Sequence, residues 1–161
     1  TGDGGTGDGG GTGDGGGTGD GGGTGDGGGT GDGGTEVDPL IGVMSGTVEV
    51  RCTYDTLFSD TCSGTGSIVV EDDARTWEGS MTCTFSGLLS GRGSQRATIS
   101  GAIEDDTTSV SVEWASGTVF ADTDVEGTVD RDGLTLAFEM DGICTAGTTG
   151  GTYSGEAELS R

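Results

Sequence analysis

The sequence has no lysine and no histidine. Their absence removes the side chains that most often serve as general base, Schiff-base nucleophile and imidazole metal ligand. All positive charge rests on six arginines, Arg51, Arg75, Arg92, Arg96, Arg131 and Arg161, against 28 acidic residues, for a net charge of −22. Such a surface repels nucleic acid and anionic lipid, so neither is expected as a partner. It suits cations, solubility or salty surroundings. No apolar run approaches the roughly 20 residues that a membrane-spanning helix needs. The chain does not begin with Met and shows no signal peptide, which reads as a mature, exported form.

What is present falls into two unlike parts. Residues 1–35 are built from T-G-D-G-G-G units, with a five-residue unit at each end, and carry no apolar side chain. Glycine loses more backbone entropy on ordering than any other residue, and nothing in the tract offsets that loss. A flexible linker, dispensable for folding of the rest, is the expectation. A sharper reading notes that six is a multiple of three. In a polyproline- or polyglycine-II-like helix, Thr and Asp would each line one edge and glycine the third, and glycine edges pack closely. Asp recurring at six is a conceivable calcium ligand, but the spacing is not the nonapeptide pattern. In layout, the TGDGG units followed by a folded domain resemble exported bacterial lipoproteins, whose mature form carries a Gly-, Ser-, Thr- or Asp-rich tether after a lipid-bearing Cys. That resemblance implies display at a cell surface. The units themselves contain no Cys.

Residues 36–161 change to alternation of period two, the mark of half-buried strands. Eight stretches carry it. Their inward faces are Met44, Gly46, Val48, Val50 and Cys52; Ile68 and Val70; Trp77, Gly79, Met81 and Cys83; Ala97, Ile99, Gly101 and Ile103; Val110, Val112 and Trp114; Val125, Gly127 and Val129; Leu134, Leu136, Phe138 and Met140; and Tyr153, Gly155, Ala157 and Leu159. SGTVE, EGSMT, SGAIE, EGTVD and SGEAE each put a glycine in mid-strand on that face. Inward mid-strand glycines mark bends that curl a sheet toward closure. The fold class is therefore all-β, a single antiparallel meander of about eight strands closing into a small barrel or flattened sandwich.

A meander sends alternate connections to opposite ends. EDDAR (71–75), EDDTT (104–108) and DRDG (130–133) are short, acidic turns at one end. The run DTDVEGTVDRDG (122–133) half-matches an EF-hand loop, but Gly133 stands where Glu is needed, so the hairpin reading is preferred. The other end collects TYDTLFSDT (53–61), SGLLSGRGSQ (86–95), ASGTVFAD (115–122) and ICTAGTTGG (143–151). Tyr54, Leu57, Phe58, Leu88, Leu89, Val119 and Phe120 lie there and are the candidate binding residues. They form either a lid that plugs the mouth or an exposed patch. Each adjacent pair, Leu88–Leu89 and Val119–Phe120, is expected to split, one member inside and one exposed.

Cys52, Cys62, Cys83 and Cys144 also fall at that end. An even count with no His points to two disulfides and an oxidising, extracellular compartment. Cys52–Cys62 with Cys83–Cys144 is the preferred pairing. The acids lie mainly on outward strand positions and in tight turns, so a carboxylate pair for glycoside hydrolysis is not expected. The functional expectation is a non-catalytic extracellular or cell-surface domain, without cofactor or metal, that binds an unknown protein or glycan through its loops. The alternative is self-association, as a structural subunit of an extracellular filament or sheath in which the glycine tracts pack together.

Overall fold

The computed structural model describes residues 37–54 and 58–161. They form eight antiparallel strands: β1 (Gly42–Tyr54), β2 (Phe58–Val70), β3 (Thr76–Phe85), β4 (Ser94–Glu104), β5 (Thr107–Trp114), β6 (Thr123–Asp130), β7 (Thr135–Ala146) and β8 (Thr149–Ser160). Each strand pairs with the next, and β8 returns to β1, closing the sheet into a barrel. Closure removes the free sheet edges that a flattened sandwich would keep. The alternation in the sequence becomes one packed interior in which Met44, Ile68, Trp77, Met81, Ile99, Leu136, Met140 and Leu159 are almost wholly buried. Trp77 donates from Nε1 to Thr108 Oγ1 at 2.8 Å, so the largest core side chain keeps its polar atom satisfied.

The inward glycines have a steric cause. A Cβ at Gly46 would press into Glu158 O of β8, and one at Gly101 into Ser109 O of β5 and the Trp77 ring. Gly79, Gly127 and Gly155 meet neighbouring backbone in the same way. The strands coil too tightly at these points for any side chain.

The wall is uneven. β1, β2, β7 and β8 have 12 or 13 residues, whereas β5 and β6 have eight. The tall side corrects the expected loops. Tyr54 belongs to β1, Phe58 and Cys62 belong to β2, and residues 143–146 continue β7. The register from Gly42↔Val70 to Tyr54↔Phe58 runs the first hairpin up to its tip. Serine, threonine and glycine fill the upper part of β2, so its apolar alternation fades although its ladder does not. At the other end, β7 begins at Thr135. Leu134, expected within that strand, instead turns the chain at φ 51°.

The turn end is closed by residues 38–41. Leu40 is fully buried and its N–H donates to Asp38 Oδ1 at 2.9 Å, while Asp38 pairs with Arg131 of the β6–β7 turn. Asp130 Oδ1 accepts the N–H groups of Asp132 and Gly133, each at 3.0 Å, which fixes that turn as a hairpin. Asp73 likewise accepts from Arg75 N and Thr76 N, and these bonds hold its carboxyl below the usual carboxylate range. Val37 and Arg161 stand at this same end; Arg161 N donates to Leu134 O.

Candidate functional site

Among the described residues, two irregular connections remain at the loop end, 86–93 between β3 and β4 and 115–122 between β5 and β6. The second rises from the short side of the wall, and both send apolar side chains into the mouth. Val119 and Phe120 are both buried, which corrects the expected split of that pair. The reason is that β5 and β6 stop early: the loop above them replaces missing wall, and Phe120 forms a backbone bridge with Cys144 of β7. Its ring lies 4.4 Å from Trp114, 5.2 Å from Tyr153 and 5.6 Å from Phe85. These four rings make an aromatic plug.

The β3–β4 loop divides its leucines. Leu89 is 7% exposed and Leu88 is 77% exposed. Asp60 of β2 causes this. Its carboxylate, itself 5% exposed, accepts Gly87 N at 3.0 Å and Leu89 N at 2.6 Å. The two bonds draw the backbone down, turn Leu89 inward and leave Leu88 at the tip. Gln95 ties the two loops together: Oε1 accepts Val119 N at 2.9 Å, and Nε2 donates to Gly93 O at 3.2 Å.

Tyr54 is buried against half-buried Phe58, ring centroids 4.9 Å apart. Leu57 lies outside the described residues. The Tyr54 hydroxyl and Trp114 Nε1 are buried without a hydrogen-bond partner among the described residues. Burial raises the Tyr54 phenol above its ordinary value, and burial raises Tyr153 as well. The Tyr153 hydroxyl donates to Ala121 O at 2.9 Å.

The disulfides join Cys52 to Cys144 and Cys62 to Cys83, with Cα separations of 6.2 and 5.3 Å. This corrects the preferred pairing. Cys83 on β3 and Cys144 on β7 are four strands apart in an eight-stranded ring, on opposite walls. Cys62 sits diagonal to Cys83 on the adjacent strand, where Gly64 pairs with Cys83. Cys52 reaches Cys144 across β8 at Gly151, which faces Cys144.

Of the seven candidate binding residues, the loop end thus brings Tyr54, Leu89, Val119 and Phe120 into its interior and leaves Leu88 outside. Asp60 and Gln95 escaped sequence reasoning, although Gln95 carries a signal: it shares inward parity with Ala97 and Ile99, an odd place for a lone amide. Arg92 of the β3–β4 loop and Ile143, 60% exposed on β7, are further exposed side chains at this end. Among the described residues, no three Cys, Asp or Glu side chains converge as metal ligands, and no helix is long and apolar enough to cross a membrane. Compared with protein-family models, curated proteins and solved structures, the chain finds no match.

Proposed function

We propose that the protein is a non-catalytic extracellular or cell-surface protein whose barrel, carried on the glycine-rich tract, binds a protein or glycan ligand through its loop end. The observation that carries this reading is the β3–β4 loop. A rigid scaffold spends a buried carboxylate, a buried amide and a disulfide on holding one loop, and the result is a large apolar side chain, Leu88, presented to solvent at its tip. Recognition residues favour such loops. The surface is narrower than seven residues: Leu88 stands at its centre, with Arg92 in the same loop. The chain enters the barrel at the opposite, turn end. The two disulfides support an oxidising compartment. The absence of Lys and His supports a non-catalytic role.

The test is a glycan and extracellular-protein array probed with the full chain and with Leu88→Asp, alongside negative-stain microscopy. Discrete particles and a ligand lost in the variant support the reading. Fibres in the purified wild type overturn it in favour of the packed-tract filament.

A further inference from the structure

Around the barrel, neighbouring strands are laddered over six or more positions at every seam but one. Between β6 and β7 the ladder has four pairs, from Asp130↔Thr135 to Gly127↔Phe138. The next paired positions on that side are Phe120 and Cys144. Residues 121–126 on one side therefore stand against 139–143 on the other. The stretch is unequal by one residue, so no continuous register can run through it. Above it, Ala121 N donates to Ile143 O at 2.9 Å and Thr145 N to Val119 O at 2.7 Å. Those two bonds pin the loop. Glu139 and Asp141 share the parity of Ile143 and Thr145, so their backbone groups also point toward β6.

The side chains along this stretch oppose closure. Asp124 and Glu126 on β6 and Glu139 and Asp141 on β7 are all exposed on the outer wall. β5, β6 and β7 contain no basic residue. On the next strands the row continues with Glu156 and Glu49, directly opposite Glu139 in sequence around the wall. Arg51 lies two strands from Asp141, with its guanidinium bonded to Ser59, and Arg131 is held by Asp38. Like charges facing across a ladder destabilise it, and exposed ones are screened by salt.

We propose that this seam is a built-in opening line: residues 115–126 separate from β7 in the folded, oxidised barrel, more readily at low than at high ionic strength. The Cys52–Cys144 disulfide holds β7 to β1, so the short side moves and the tall side stays. Opening exposes half-buried Val125, buried Met140 and the Phe120 face of the aromatic plug. It gives the interior a lateral route that the laddered seams do not.

Amide hydrogen exchange on the oxidised full chain tests this. The amides of Ala121 and Thr145, which are hydrogen-bonded across the seam, should exchange at least about a hundredfold faster than the hydrogen-bonded amides of the β1–β2 and β7–β8 ladders. The gap should narrow several-fold between about 0.01 M and about 1 M salt, as the screening length falls from about 30 to about 3 Å. The double variant Glu126→Gln/Glu139→Gln should slow exchange at the seam and nowhere else. Seam amides that exchange only with the ladders overturn the opening line. Seam rates indifferent to both salt and the double variant overturn its electrostatic control.

Discussion

The carboxylate of Asp60 on β2 accepts the N–H of Leu89 at 2.6 Å, in the turn that faces Leu89 to the core and Leu88 to solvent. Asp60 is buried, and its second bond, to Gly87 N, fixes the same turn. Asp60→Ala strands the buried Leu89 N–H and releases the more accessible Gly87 N–H, and a hydrogen bond to a charged group contributes about 1.5–3 kcal/mol. A loss of about 2–4 kcal/mol is expected in urea unfolding, with Asp60→Asn losing less because one oxygen acceptor survives. Unchanged stability in Asp60→Ala would show the loop to be held by packing alone.

The leucines and Phe120 separate lid from rim. Leu88→Asp should stay within about 0.5 kcal/mol of wild type, as exposed substitutions do. Leu89→Ala and Phe120→Ala should each cost about 2–5 kcal/mol, because truncation leaves a cavity in a packed plug. Melting temperatures of the three variants check this, and equal losses in all three contradict it.

Digestion after arginine in denaturant reads the disulfide pairing directly. Cleavage places Cys52 and Cys62 in one peptide, residues 52–75, Cys83 in residues 76–92, and Cys144 in residues 132–161. The observed bridges tie all three peptides together. The alternative of Cys52–Cys62 with Cys83–Cys144 releases 52–75 alone. A further cut before Asp60 separates Cys52 from Cys62 and assigns each partner. By chain entropy, the bridge across 92 residues should contribute about 4–5 kcal/mol and that across 21 about 3 kcal/mol.

Alkaline titration reports both tyrosines. Burial raises Tyr54 and Tyr153 above the ordinary 10.0. The unfolded chain ionises at the lower value, so their contribution is whole below about pH 10 and is lost as pH climbs through the raised values. Phenolate absorbance should appear together with loss of the fold in one cooperative step. A separate ionisation near pH 10 in the folded state would be inconsistent with burial of either ring.

Gly101→Val tests the coiling of the wall. Its Cβ would collide with Ser109 O and with the Trp77 ring, which is anchored to Thr108. Overpacking a closed interior costs about 1–3 kcal/mol and more where backbone must move, so a loss at the upper end of that range is expected in thermal unfolding. Ser100→Thr, one residue away on the outer face, should be nearly silent and serves as the control.

Alternation of period two from Met44 to Leu159, with glycine held at constant inward parity, was enough to establish an all-β meander, because strand parity is a property of the local chain. Even Cys count and the charge imbalance are equally local. The top of β2 was not legible, since its inward positions Asp60, Gly64 and Gly66 pair as well as any residue but carry no apolar side chain. The disulfide partners depended on which walls face each other, and Cys83 and Cys144 were separated only when the ring closed with β3 opposite β7. The fate of Val119 and Phe120 was likewise tertiary. Their loop is buried because β5 and β6 are shorter than β7 and β8, and a loop beside a missing piece of wall falls inward to cover the core. Parity along a chain states which side of a strand a residue takes. Only the closed sheet determines what stands on that side to meet it.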